Sequence, residues 1–518
     1  MTETKATTVS GLDLQRWQKA QQDLLKGRPD RALSAYHALA KKYSENENLR
    51  FELGLAAAKE LDFDQAVEAF QRTAELSAGN VSLRILLGQQ FHLLRQMDQA
   101  RESFEAAAKM DSASVPAQLS LAEWYERERR LEDAWTCIES CAHRNPADAQ
   151  VRCFQALLWQ RKKNYSAAEK ILRDIIASHT ADLNAKISCR HQLAVVLDET
   201  GRYAEALACL AESKTLIRQA VNFAKLQQTY EYAERRRREL QTQLTQAMIR
   251  EWRGENSSAP LRPRLAFLGG HPRSGTTLLE QILGAHPAIT AFDEPMAFTQ
   301  EILEQLAPLE NAPTLTAEVL HGVNESRRKR FRERYLKNLG RENRTPGAEG
   351  VVLDKNPSHT ASVHLWLRIF PEVKVIISLR DPRDVIVSCY FQNLALNVTN
   401  SNFLTLERTV KHYTDLMDAW LRMRQLGGFD WIETRYEDIV AEAATEGRRV
   451  TEFLGLDWSP QQAAHDQAER KTSIVAPNYH EVARPIYKNA VGRWRNYAEA
   501  LEPFQKKLAP YCRAFGYE

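Results

Sequence analysis

"RLAFLGGHPRSGTTLLE" (Arg264–Glu280) is the stretch whose reading decides the fold. An apolar run enters a glycine pair, and a second apolar-periodic segment opens directly after Gly275. Strand, glycine turn and helix in that order direct backbone N–H groups and the positive end of a helix at one point, an arrangement suited to a phosphate. Gly270, four residues, Gly275 and Thr277 outline the nucleotide pattern G-x-x-x-x-G-K-[ST], but Thr276 stands where the lysine belongs. Arg273 precedes it by three residues, and Ser274, Thr276 and Thr277 add hydroxyls. The loop predicts an anion site whose cation is not the one an ATP loop uses.

Working outward, "VVLDK" (351–355), "VKVIISLR" (373–380) and "DWIETRY" (430–436) are short β-branched or apolar runs, separated by segments long enough for helices. The pattern predicts a three-layer α/β domain of P-loop type, with a central parallel sheet and helices on both faces. Ligands of such sheets bind beyond the carboxyl ends of the strands, where Lys355 and Arg380 fall. Glu294, in "FDEP", follows Arg273 by 21 residues and is brought back towards the same end. In "SLRDPRDVIVSCY" (378–390), Ser388 lies eight residues after Arg380, so an arginine and a hydroxyl converge as a second phosphate would need. The competing reading is a clamp between Arg380 and Asp381 or Asp384.

Before this domain the chain is periodic. Ala32, Ala66, Ala100, Ala134 and Ala168 recur every 34 residues. Each is followed four positions later by Tyr36, Phe70, Phe104, Ile138 or Leu172, and preceded by twelve by Ala20, Gly54, Gly88, Ala122 or Ala156. Ala194, Ala206 and Leu210 continue the pattern after a four-residue insertion. A small residue on one helix lets its partner approach closely, and the alanine with its i+4 neighbour forms the apolar stripe. Period and residue types resemble the tetratricopeptide repeat family over about residues 11–213, about six repeats, which implies a right-handed α-solenoid offering a concave surface to a peptide or protein. Residues 214–253 read as one or two long helices whose run Arg235–Arg238 is a solvated face, and "GENSSAPLRP" (254–263) as the linker. The sequence thus divides into repeats (11–213), a connecting segment (214–262) and a catalytic domain (263–518).

The totals narrow the function. A net charge of +3 on 518 residues argues against coating nucleic acid. No apolar run reaches about 18 residues and the first residues do not read as a signal peptide, so the expected compartment is the cytoplasm. The seven scattered cysteines suit reduced thiols. Cys137, Cys141 and His143 lack a second ligand pair at zinc-like spacing, and no metal site is expected.

Taken together, "HPRSGTT" and "LRDPRDVIVS" resemble the 5′-phosphosulfate loop and 3′-phosphate motif of the sulfotransferase family that uses 3′-phosphoadenosine 5′-phosphosulfate (PAPS). "RYEDIV" (435–440) and "ARPIYKNAVGRWRNY" (483–497) are similar to its later cofactor-side segments, so the resemblance covers about residues 263–517. Within the family it points to the tyrosylprotein sulfotransferase branch and to bacterial enzymes fused to tetratricopeptide repeats. The resemblance implies Glu294 as base, Arg273 and Lys355 on the sulfuryl group and bridging oxygen, and Ser473 assisting the leaving phosphate. It implies Arg273, Ser274, Gly275, Thr276, Thr277 and Leu278 around the 5′-phosphate, and Arg380 and Ser388 on the 3′-phosphate. Tyr436 would lie near the nucleotide, and Lys488 or Arg493 would be a late basic contact. Cytosolic small-molecule members carry a base histidine two residues after the lysine; here that position is Pro357, and His359, two further on, is expected to be a surface or structural histidine.

The expected reaction is in-line sulfuryl transfer from PAPS to a hydroxyl, without a metal and with PAP (3′-phosphoadenosine 5′-phosphate) as product. A peptide or protein tyrosine, presented by the repeats, is the expected acceptor; a small phenol, glycan or lipid-linked hydroxyl is the alternative, and a dimer the expected oligomer. Animal tyrosylprotein sulfotransferases are anchored in the secretory pathway, and the missing membrane segment departs from that pattern. The basic run "SRRKRFRER" (326–334) reads as a solvated helix. A P-loop kinase conflicts with the missing lysine and the second phosphate motif, and a catalytically dead repeat adaptor conflicts with the presence of Arg273, Lys355 and Glu294.

Overall fold

A computed structural model describes residues 9–60, 62–254, 263–307, 315–340, 350–463 and 490–517. It divides into two compact units, Met1–Ile171 and Leu172–Glu518; the repeat period of the sequence runs on across this border.

In the first unit helices alternate in pairs, beginning with Gly11–Leu25 and Pro29–Lys42, as tetratricopeptide repeats require. The small-residue positions do what the spacing predicts. A Cβ on Gly54 would sit 2.5 Å from the Phe70 ring and one on Gly88 2.6 Å from Phe104, so the rings occupy the space a side chain would take. Two further features repeat every 34 residues. Asn46, Asn80, Ser114, Asp148 and Asp182 each accept a backbone N–H as helix N-caps. The turns inside the pairs place Gly27, Arg95, Arg129 and Lys163 at positive φ, with Gly201 following the insertion.

The second unit contains, among the described residues, one five-stranded parallel sheet: β1 (Arg264–Gly270), β2 (Ile289–Asp293), β3 (Val351–Lys355), β4 (Lys374–Leu379) and β5 (Trp431–Arg435), in the order β2-β3-β1-β4-β5. Four strands lie where the apolar runs predict them. β2 escapes the sequence reading because "ITAFD", set between Pro287 and Pro295, is only five residues long and carries too short an apolar pattern to declare a strand.

Residues 214–253, read as one or two long helices, span the end of Tyr203–Ala220 and then Phe223–Gln243 and Gln246–Gly254. Tyr203–Ala220 ends before Asn222, whose side chain caps Phe223–Gln243 by accepting from Lys225 N at 3.1 Å. Both this helix and its predecessors pack within the sheet unit. His191 bonds the carbonyl of Phe391 at 2.9 Å, and Lys214 Nζ donates to Gln392 O at 3.2 Å. Gln227 reaches Ser401, Tyr230 reaches Asp415, and Arg408 pairs with Glu231. The basic run is not the solvated face expected of it throughout: Arg237 and Arg238 are both tied to Asp415, leaving Arg235 outside. Lys214 is buried there, and burial pulls its pKa from 10.5 down to about 7.

Two outcomes are expected. Gly54→Val should lower the stability of the full chain by about 1–3 kcal/mol in urea denaturation, because the Phe70 ring must move. For Lys214, the unfolded chain holds a proton up to its ordinary 10.5 while the folded chain releases it above about 7. Stability should therefore rise with pH between these values and level off below. Lys214→Met should flatten that rise in melts taken across the range.

Candidate active site

The glycine turn after β1 leads into a helix whose first turn has no side-chain cap. Gly275, at φ +86, is the N-cap of this helix, Thr276–Gly284. A Cβ there would come 2.5 Å from the Tyr436 ring, so only glycine allows the tyrosine to lie against the loop. Gly270 is fixed by Thr360, whose Oγ1 accepts from its N at 2.7 Å and donates to its O at 2.8 Å. Ser378 at the end of β4 donates to Ser274 O at 2.7 Å. The loop is thus held from β1, β4 and the segment after β3.

Two non-glycine residues of this unit have positive φ, Arg273 at 74° and Glu294 at 52°. Such a conformation costs on the order of 1–3 kcal/mol at each position and persists only where its surroundings impose it. Both were singled out from sequence alone. For Glu294 the imposing contact is its backbone N–H, which donates to Lys355 O at 2.8 Å.

The parallel register sets Asp293 opposite Lys355, extending the β2–β3 ladder up to the glutamate. Lys355 Nζ is fully buried and contacts Asp293 Oδ1 as well as Glu294 Oε1, the latter at 3.1 Å. Burial by itself pulls the lysine's pKa down, but Glu294, Asp293 and Glu280 outweigh it and hold the ammonium above its ordinary range. The result is a permanently charged lysine shared between two consecutive carboxylates. Glu294 itself keeps about half its side-chain surface exposed, at 53%.

Arg273 Nε donates to Ser388 Oγ at 3.0 Å. Arg380 donates from Nη1 to Arg273 O at 3.1 Å and from Nη2 to Ala490 O at 2.5 Å. Its guanidinium lies 4.9 Å from the Tyr436 ring centroid. Arg380 Nε is buried without a hydrogen-bond partner among the described residues, a donor still open to an anion. The arginine–aspartate clamp weighed for Arg380 forms elsewhere: Arg383 holds Asp381 through Nε and Nη2, and Asp384 accepts from the backbone of Gly492 and Trp494.

One cavity of about 810 Å³ gathers these groups. Arg273, Gly275, Thr276, Thr277, Leu278, Arg380 and Tyr436 line one part of it, and Glu294 lines it too. Lys355 lies behind the lining and bonds Glu294, which lines the cavity. Ser274 and Ser388 are buried beside it. Arg493 is directed elsewhere, donating to Asp198 Oδ2 at 2.7 Å with its guanidinium over Phe391. Ser473 and Lys488 lie outside the described residues. His359 is buried rather than on the surface, bonded to Thr299 Oγ1 at 2.9 Å, and burial pushes its pKa down to about 3.

Sequence reasoning missed Asp293, Thr360 and the buried pair His271–His412, whose ring nitrogens meet at 2.9 Å behind the loop. Asp293 was legible only through the β2–β3 register. Thr360 and His412 are brought in by tertiary packing alone. The cavity lining of Phe223–Gln243 was also missed.

A strand, glycine loop and helix on a parallel α/β sheet define the class of this domain. The family described as the sulfotransferase family matches residues 264–460, so the chain carries a sulfotransferase-family domain behind its tetratricopeptide repeats. An uncharacterized protein of Aquifex aeolicus is 26% identical over 356 residues, which is 66% of this chain and 44% of that protein. Protein-tyrosine sulfotransferase A of Caenorhabditis elegans is 25% identical over 52% of this chain and 70% of its own length. The solved sulfotransferase domain of the Synechococcus PCC 7002 olefin synthase aligns at 19% identity and a TM-score of 0.33, over 48% of this chain and 96% of that one. The chain thus spans less than half the length of the Aquifex protein.

Thr360→Val should leave Gly270 N–H and C=O without their partner in a buried turn. The expected loss is on the order of 1–3 kcal/mol in denaturant titration of the full chain. An unchanged midpoint would mean that Gly270 is held by other contacts.

Proposed function

We propose that the protein transfers a sulfuryl group from PAPS to a phenolic hydroxyl, a peptide or protein tyrosine being the acceptor favoured by the resemblance. The observation that carries this reading is the shared lysine: Lys355 bonded to Asp293 and Glu294 at the strand ends, beside a phosphate loop that has Thr276 in place of lysine. The loop, its uncapped helix end and the hydroxyls of Ser274, Thr276 and Thr277 suit a 5′-phosphate. The free Nε of Arg380 and the Ser388 hydroxyl suit a second phosphate, which PAPS has and AMP lacks.

In this mechanism Glu294 takes the acceptor proton as the new oxygen–sulfur bond forms. The bond between sulfur and the bridging oxygen of the donor breaks, and the electron pair stays with the departing 5′-phosphate. Arg273 and Lys355 offset the charge growing on that oxygen, a stabilisation stronger in the transition state than in the ground state. Asp293 has a distinct part. It neutralises Lys355 at rest, so the lysine is not committed wholly to Glu294 and the glutamate remains available as a base. A phenol, with a pKa near 10, is easier to deprotonate than an aliphatic alcohol. The repeats are assigned to holding the peptide or protein that bears the acceptor.

Calorimetry tests the donor: PAP should bind at least about tenfold more tightly than AMP, the increment expected of one charge-assisted phosphate contact. Equal affinities would remove the basis for PAPS. With ³⁵S-labelled donor, Glu294→Gln should lose transfer by about 100-fold or more while PAP affinity stays within a few-fold. Full activity in that variant would place the base elsewhere.

A further inference from the structure

The helix Phe223–Gln243 precedes the family-matched segment, yet it forms part of the cavity wall. Tyr230, Ala233, Glu234, Arg237 and Leu240 all line the cavity. Their spacing of i, i+3, i+4, i+7 and i+10 puts them on one helical face. The face is anchored at both ends. Tyr230 OH donates to Asp415 at 3.1 Å, Arg237 to Asp415 O at 3.0 Å, and Gln241 to Ala361 O at 3.3 Å. Gln243 Oε1 accepts from Ala317 N at 3.0 Å. The segment is a fixed wall and not a tether.

Arg236 of the same helix also lines the cavity, while the charges of Glu234 and Arg237 are paired with each other. Arg237 Nε donates to Glu234 Oε2 at 3.1 Å, and the same arginine donates to Gln241 Oε1 at 2.7 Å. Ala233 and Leu240 therefore carry the apolar character of the face. Leu303, Leu315, Leu365, Val398 and Phe403 line the same cavity from other elements. Polar groups such as Thr299, Asn356 and Asn400 line other parts of the cavity; a sugar placed against the apolar side chains would bury the hydroxyls on that side with no partner, each at a cost of about 1–3 kcal/mol. An aromatic ring buries apolar surface there and presents one hydroxyl, which the exposed carboxylate of Glu294 can meet.

We infer that Phe223–Gln243 is the acceptor-specificity wall, and that Ala233 and Leu240 receive the apolar ring of an aromatic hydroxyl compound. This rests on the sulfuryl-transfer reading and adds to it a determinant outside the matched domain. The ring can belong to a free phenol or to a tyrosine side chain; both share the chemistry that this wall selects.

The test uses the full chain, labelled PAPS and three acceptors: 4-nitrophenol, a tyrosine-containing peptide and N-acetylglucosamine. The wild type should sulfate one or both phenols with kcat/KM at least about tenfold above the sugar. Ala233→Phe should raise KM for the preferred phenol about tenfold or more, with kcat and PAP affinity within about twofold. Should Ala233→Phe fail to bind PAP and so report misfolding, the isosteric Ala233→Ser decides, with a smaller rise in the same KM. Preference for the peptide assigns the ring to tyrosine, and preference for 4-nitrophenol to a free phenol. A folded, active variant with unchanged KM overturns the wall, as does a wild type that prefers the sugar. Transfer to none of the three, or PAP bound no better than AMP, overturns the sulfuryl-transfer reading and the wall with it.

Discussion

The pairing of β2 with β3 is the constraint on which the candidate site depends. Parallel strands in register set side chains of one face next to each other, and the register brings Asp293 beside Lys355. The ladder then continues one bond past the strand, from Glu294 N to Lys355 O. That bond gives the glutamate its left-handed backbone and keeps it within 3.1 Å of the lysine. A slip of one residue would turn Asp293 to the other face and leave a buried ammonium with half its partners.

The second strained residue has a different support. Arg273 owes its φ of 74° to a loop clamped from behind by Thr360 and Ser378, and its side chain is directed to Ser388 on Pro382–Tyr390. Its carbonyl accepts from Arg380. The loop and the helix that carries Ser388 are therefore one hydrogen-bonded body. The two phosphate motifs, read from sequence as separate sites, share Arg273 as a common member.

Much of this was legible in the sequence because it is local. Glycine spacing, strand-end lysine and arginine, and the 34-residue alanine period all follow from periodicities that neighbouring residues impose. What escaped depends on residues far apart in the chain. β2 is only five residues long, so Asp293 had no visible partner until the sheet aligned it with Lys355. Thr360 acts on Gly270 across 90 residues, a contact no local pattern encodes. Arg235–Arg238 reads as a solvated run because like charges in sequence say nothing of Asp415 in space.

The shared lysine also resolves a difficulty in any site that sets a base beside a cation. A lone Lys355–Glu294 pair would tie the buried ammonium to the cavity-facing carboxylate alone. A second carboxylate alters that balance. With Asp293 contacting the same ammonium, the lysine's charge is met by two carboxylates, of which the exposed Glu294 faces the cavity. Glu280, on the helix that follows the loop, adds to the same field, so the lysine stays protonated despite complete burial. The geometry thus keeps a buried ammonium and an exposed carboxylate adjacent, and it does so through strand register, which is the least adjustable feature of the sheet.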